Sequence, residues 1–385
     1  MKKQLAIATG LMLLATGAHA TKSRMNALGQ DSARGSHYLN DTRNVFRNAA
    51  NINTMNNYVV TEWGTAASTV SSASSPAAEG GFARSAGNFN YGVYLGSDIN
   101  SHNGQRATGT GYAGTATMGS GSFQMSDNEV DLFFGGDMGL QWGANLHYAS
   151  GKTEAPATTK KEHSALGLGV GVMMGDLAAS LNLGLKDEST FDGTTAGTKF
   201  ENDGDMNFNV SYKMGANAFF VEYDKLGAKY NNGTATATTE KTTITVGAGH
   251  VKEVSNTARI NMDVSYVKTD AEDKTAAGVK TEVNSSKLPL TVGFEVDANS
   301  WLVLRGSIKQ NFFIGTTETK STTTTKSSVA NSTVVQAGAT LNFGKLKVDG
   351  AIGTTSAGGS AGSNTNDGTL RTDALLTTVA VHYWF

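Results

Sequence analysis

Thirteen charged side chains occupy alternate positions of otherwise apolar-patterned segments: Asp131, Lys186, Lys213, Glu222, Asp224, Arg259, Asp263, Lys287, Glu295, Arg305, Lys309, Lys347 and Asp349. Seven are basic and six acidic. Alternate residues of a strand share one face, so these charges predict a wet face opposite an apolar one. A wet interior of mixed sign passes neutral or varied small solutes with weak ion selectivity, whereas a strongly selective pore carries a ring of one sign. Taken singly, each charge also suits a salt bridge that stiffens the wall. Catalysis is the competing chemistry, and it needs a nucleophile, a base and an orienting group within hydrogen-bond reach. Beyond residue 20 the histidines are His37, His102, His147, His163, His250 and His382, with no His-x-x-x-His pair and no cysteine in the chain. No enzyme, cofactor or metal is expected from this set. Gly109-Thr110-Gly111-Tyr112 and Gly119-Ser120-Gly121-Ser122 lie in a long connection, not between a strand and a helix, and read as flexible loop instead of phosphate cradles. The net charge of −2 gives no argument for nucleic acid.

The elements that position these charges recur along the chain. Leu177, Ala179, Leu181, Leu183 and Leu185 alternate with small or polar residues, as do Met206, Phe208, Val210, Tyr212 and Met214. Such alternation marks strands with two unlike faces, and about 9–11 residues per strand is what a tilted crossing of the hydrocarbon layer requires. Fourteen strands are predicted, near 89–97, 128–136, 139–149, 163–173, 177–187, 205–214, 216–225, 242–252, 257–268, 286–297, 300–310, 333–343, 345–353 and 374–385. Connections alternate short and long, the long ones being near 98–127, 150–162, 188–204, 226–241, 269–285, 311–332 and 354–373. That asymmetry fits a barrel with one periplasmic and one outer rim and disfavours a soluble sandwich, whose strands are shorter. The expected fold is therefore all-β: a transmembrane antiparallel up-and-down barrel of about fourteen strands.

Three segments are expected. Residues 1–20 read as a cleaved secretory signal: Met1-Lys2-Lys3, an apolar run from Leu5 to Leu14, and the small-x-small site Ala18-His19-Ala20. Residues 21–80 stand outside the strand repeat, as a plug or a periplasmic segment, and 81–385 form the barrel. Within the second segment, Arg34 to Asn57 reads as short helical or irregular polar backbone, and Tyr58 to Trp63 as one candidate strand. No apolar run after the signal is long enough for a spanning helix. The 46 glycines and only 3 prolines suit long uninterrupted ladders.

The chain end, with Tyr383 and Phe385 on the apolar parity of the last segment, resembles the terminal signature of bacterial outer-membrane barrels. That resemblance implies a Gram-negative outer-membrane location and reading of Tyr383 and Phe385 by the barrel assembly machinery. Tyr148, Tyr212 and Tyr223 are expected in the interfacial girdles. The run Asn40-Asp41-Thr42-Arg43-Asn44-Val45-Phe46-Arg47-Asn48-Ala49-Ala50 resembles the hatch motif of the long-chain fatty acid and hydrocarbon transporter family, with Ala49 where that family has Pro. A fourteen-strand count also fits that family. The main functional expectation is passive passage of small solutes through a polar lumen. The resemblance implies an alternative, a hatch-gated transporter of hydrophobic substrates. A third is a surface structural or recognition protein carried on its loops. Expected partners are outer-membrane lipid, the assembly machinery, small solutes and a further copy of the chain.

Overall fold

The computed structural model describes residues 21–63, 78–97, 102–114, 123–155, 159–192, 198–328, 333–354 and 375–385. The signal and its cleavage site at Ala18 and Ala20 lie outside the described residues, as do Gly119 to Ser122 and most of 354–373.

Among the described residues the wall runs through eighteen strand segments. They are β1 (Tyr58–Trp63), β2 (Ala78–Ala86), β3 (Phe89–Leu95), β4 (Asn128–Asp137), β5 (Gln141–Ala155), β6 (Thr159–Met174), β7 (Leu177–Asp192), β8 (Thr198–Asn202) and β9 (Asp205–Met214). The second half comprises β10 (Asn217–Asn231), β11 (Thr236–Ser255), β12 (Ala258–Lys274), β13 (Lys280–Asn299), β14 (Leu302–Lys320), β15 (Thr324–Ser328), β16 (Thr333–Phe343), β17 (Leu346–Thr354) and β18 (Leu375–Trp384). Consecutive strands pair antiparallel, and β1 pairs with both β2 and β18, so the sheet closes on itself. β8 and β9 share the place between β7 and β10, while β15 and β16 pair along successive parts of β14. The eighteen segments therefore make a sixteen-position wall.

Outward positions of the middle stretches are apolar and exposed, among them Leu146, Val170, Val246, Val264, Phe294, Leu304, Ile308 and Ile352. A closed β-wall with an apolar outer band satisfies every backbone group internally and spans a bilayer. Tyr148, Tyr212 and Tyr383 are also exposed on the outside. The chain end seals the seam: Tyr58 lies opposite Trp384, and Phe385 N–H donates to the Asn57 carbonyl at 3.0 Å.

The wall corrects the sequence reading in three ways. Its count is sixteen, not fourteen, because β1 and β2 join it. Their outward faces mix Val59, Trp63 and Phe82 with Thr61, Gly80 and Arg84, and their inward faces mix Tyr58, Val60 and Ala83 with Glu62 and Glu79, so both faces carry apolar residues and the usual contrast is blurred. Several strands outrun the membrane crossing, with β11 and β13 reaching 20 residues each. Stretches expected as long loops at 226–241, 269–285 and 311–332 are largely strand, as their Thr and Val content favours. Finally, a bulge at Leu185 changes parity within β7: Leu166 pairs with Lys186, but Gly167 pairs with Gly184. Lys186 thus shares the outer face with Leu166, and Asp187 takes the inward place.

Candidate functional site: the occupied lumen

Residues 21–57 lie inside the ring of strands. The sequence supplies short capped turns there, not a long helix. Thr21 caps α1 (Lys22–Ala27), Asp41 caps a 3-10 turn at Thr42–Phe46, and Asn48 caps a second at Ala49–Thr54. Helical pieces this short do not persist alone in water. The wall holds them, by charge on three sides and by close contact on a fourth.

Arg43 is buried and donates to Glu79 of β2 at 3.2 Å and to the Tyr94 hydroxyl at 2.9 Å, with Glu62 of β1 at 3.7 Å. Lys22 meets the same Glu79 at 2.6 Å. Arg47 donates to Glu222 of β10 at 2.6 Å, and Arg34 reaches Glu222 and Asp224 at 3.3 Å each. Arg24 is only 2% exposed and donates to Glu295 of β13 at 2.8 Å and to Asp41 at 3.1 Å. Hydrogen bonds with one charged partner add to these ties: Tyr38 Oη donates to Asp263 at 2.8 Å, Lys213 to Asn40 at 3.0 Å, and Thr21 Oγ1 to Asp349 at 2.9 Å. Buried charges of this kind are costly to separate, because each partner left behind stays in a poorly hydrated site.

The fourth side is a seat of small residues. Gly135, Gly143, Gly171 and Ser180 lie opposite one another across β4 to β7. The second 3-10 turn sits directly on this row. A Cβ at Gly143 would collide with the Ala49 carbonyl, and one at Gly171 with the Asn48 carboxamide. Asn48 Nδ2 donates to the carbonyls of Val172 at 3.3 Å and Ala179 at 3.1 Å, and Ser180 Oγ donates to the Arg47 carbonyl at 2.7 Å. Gly143→Val is therefore expected to unseat the segment while leaving the barrel closed. Amide hydrogen exchange at residues 44–54 should rise at least about tenfold, since overpacking costs roughly 1–3 kcal/mol; unchanged exchange would refute the seat.

Apolar packing completes the lock. Val45, Phe46, Ala49, Ile52 and Met55 form one buried cluster with Tyr58, Val60, Ala83, Tyr94 and Phe133 of the wall. His37 stacks on Phe220 with ring centroids 4.2 Å apart. Burial, and then the neighbouring Arg47, push its imidazole down to about 4. Burial raises the Asp41 carboxyl to about 6 against the pull of Arg24. The signs are opposite. A depressed histidine loses docking stability as pH falls from its free value of about 6.5 through 4, whereas protonation of Asp41 relieves a cost in the same direction. Comparing wild type with His37→Gln isolates the first effect. Acidification from pH 7 to 4.5 should accelerate exchange of residues 30–50 on the order of tenfold more in the wild type. Equal pH profiles would show that His37 does not report on docking.

The mouth on the side of the long connections is partly covered by a stretch of the connection between β3 and β4. Here α2 (Asn103–Thr108) ends at Gly109, whose φ of 65° closes the turn. Arg106 is fully buried and pairs with Asp187 of β7. His102 Nε2 meets Asp205 Oδ2 of β9 at 2.7 Å, and the Tyr112 hydroxyl meets His102 Nδ1 at 2.8 Å. Tyr112 N–H donates to Thr239 Oγ1 at 2.8 Å and Ala113 N–H to Asp273 at 3.1 Å. Gly109 to Tyr112, expected as flexible loop, is thus tied across the mouth to β11 and β12. A cavity of about 130 Å³ lies between the inner segment and the wall of β4 to β10, and two of its lining carboxylates, Asp187 and Asp205, are the ones the cover holds. Arg34 and Phe46 line it from below; Asp131, Asn145, His147, Asp187, Asp205 and Asp224 line it from the wall.

Of the thirteen charges expected inside, Lys186 faces out, displaced by the bulge. Glu222, Asp224, Asp263, Glu295, Asp349 and Lys213 grip the inner segment, so they are contact sites and not the margin of an open channel. Arg259 and Arg305 share Glu295 with Arg24, and Arg305 also reaches Asp349 at 3.6 Å. Asp131 receives Asn145 and His147 at 3.1 Å each. Lys347 lies 5.2 Å from the Trp384 ring centre. Lys287 and Lys309 occupy inward positions of β13 and β14. Sequence reasoning missed Glu62, Glu79, Asp187, Asp205 and the arginines that answer the wall acids. The signal available was Arg24, Arg34, Arg43 and Arg47 clustered in one short polar stretch.

No family model matches the chain, and no curated protein does. Similar solved structures exist. The Ralstonia pickettii toluene transporter TbuX is 10% identical, with 95% of this chain and 98% of that one covered and a TM-score of 0.39. The Pseudomonas putida toluene transporter TodX gives 10%, 95%, 98% and 0.38. A Pseudomonas aeruginosa FadL homologue gives 9%, 94%, 98% and 0.44.

Proposed function

We propose that this barrel carries small substrates across the outer membrane under the control of residues 21–57, which act as a hatch, in place of the open porin that the strand pattern first suggested. The observation that carries this reading is the set of ties across the lumen: Arg43 to β1 and β2, Arg47 to β10, and Arg24 to β13. A segment held on three sides of the wall obstructs steady diffusion. A sixteen-position wall without it is of the size that leaves an aqueous channel. Passage then requires the hatch to shift or rearrange. Proteoliposomes swollen osmotically with a pentose test this: the wild type should swell slowly and the Gly143→Val protein several-fold faster. Rapid swelling by the wild type, unaltered by the substitution, would return the reading to an open porin.

The alternative of hydrophobic cargo finds its support in the apolar cluster under the hatch, where Phe46, Ile52 and Met55 meet Val60 and Phe133. An apolar substrate would compete for those same contacts.

A further inference from the structure

The cavity between the hatch and the wall of β4 to β10 has a composition that bears on what fills it. Three of its carboxylates, Asp187, Asp205 and Asp224, belong to the fixed wall, on β7, β9 and β10. Each holds a basic side chain from a segment that is not wall. Asp187 holds Arg106 and Asp205 holds His102 from above, while Asp224 holds Arg34 from below at 3.3 Å. One chamber thus contains the anchors of both closures. A fourth carboxylate, Asp131, lies beside His147 on the same lining. The remaining inner surface includes Phe46, Ala165 and Leu226, all buried and apolar.

Size narrows the occupant further. A site needs on the order of 10–15 Å³ of such volume to hold one water, and an apolar cavity near 150 Å³ accommodates a benzene ring. At about 130 Å³ this chamber suits a molecule of single-ring size. Several carboxylates on one lining favour a cationic partner that donates hydrogen bonds, and the apolar inner surface favours a hydrocarbon body beside the charge.

We propose that the chamber binds a small organic ammonium carrying an apolar body, and that this ligand loosens both closures by competing with Arg106, His102 and Arg34 for Asp187, Asp205 and Asp224. The inference rests on the hatch-gated reading and names its substrate class. Coupling follows from the shared anchors: a ligand that binds better when Arg106, His102 and Arg34 withdraw must shift the closures towards release. An anion gains nothing from these carboxylates, and a neutral ring gains only the apolar contact.

Calorimetric titration of the full chain in detergent micelles tests this with three probes: phenethylamine, its neutral isostere 2-phenylethanol, and toluene. The amine should bind at least tenfold more tightly than the alcohol, and added salt should weaken it. Asp205→Asn and Asp187→Asn should each weaken amine binding at least fivefold and leave the alcohol unchanged. Leu226→Trp, which fills the chamber without altering a charge, should abolish binding while the barrel keeps its heat-modifiable migration on gels. Hydrogen exchange at residues 102–114 should quicken with the amine and not with the alcohol. Equal binding of amine and alcohol, toluene bound in preference to the amine, or amine binding indifferent to all three substitutions would overturn the inference. Absence of any amine binding would overturn it too, and would leave the conductance test of the hatch described below untouched.

Discussion

Removal of residues 22–56 is expected to turn an almost silent protein into a conducting one. In planar bilayers the intact chain should give rare, small openings, and the deleted chain steady steps with mean conductance raised at least about tenfold, because sixteen-position walls enclose an aqueous channel once emptied. The deletion also exposes Glu62, Glu79 and Glu222 without their hatch cations, while Glu295 keeps Arg259 and Arg305 of the wall. The opened pore should therefore prefer cations, through an acidic ring that the hatch normally neutralises. Heat-modifiable migration confirms that the barrel still closes. Unchanged conductance in a folded deletion protein would remove the hatch from the account.

The second large effect concerns Arg43. Its guanidinium is buried among Glu62, Glu79 and the Tyr94 hydroxyl, and also donates to the Ala33 carbonyl at 2.8 Å. Arg43→Ala strands two carboxylates in a poorly hydrated site with only Lys22 beside them. The expected cost is about 3–5 kcal/mol of hatch docking, on the order of a hundredfold or more in the docked population. The triple change Arg43→Met, Glu62→Gln, Glu79→Gln removes the charges together and should cost far less, since a buried ion set replaced as a whole is often nearly neutral. Proteolysis of the hatch in detergent separates the two: rapid cutting after Arg43→Ala, slow cutting of the triple variant. Equal sensitivity would mean that the ion pairs do not hold the hatch.

All fourteen strands read from the sequence are present, for a reason tied to solvent. Where lipid lies outside, outward residues must be apolar, and Leu177 to Leu183 or Met206 to Met214 announce that directly. The signal fails where the inside is packed instead of wet. Tyr58, Val60 and Ala83 face the hatch and are buried, so the contrast between faces is weak in β1, a candidate strand at Tyr58 to Trp63, and in β2. Strict parity places Lys186 inward, and a single bulged residue, Leu185, reverses it. The hatch partners were individually legible but their pairing was not. Arg24 and Glu295 lie 271 positions apart, and Arg47 and Glu222 lie 175 apart, so no local spacing links them. At the mouth cover, Gly109 and Gly111 suggest backbone freedom in the sequence alone. In the fold Gly109 ends a helix, and Gly111 is small because Asp273 presses against it.

The central claim is that residues 21–57 sit within the wall, and a disulfide tests it most directly, since the chain has no cysteine of its own. Asn48→Cys with Gly171→Cys places two thiols at the closest contact between the hatch and β6. In outer membranes from whole cells the pair should oxidise almost completely, and conductance of the oxidised protein should stay silent under conditions that release the reduced one. Two thiols that remain free, and that react readily with a maleimide added to those membranes, would contradict the account.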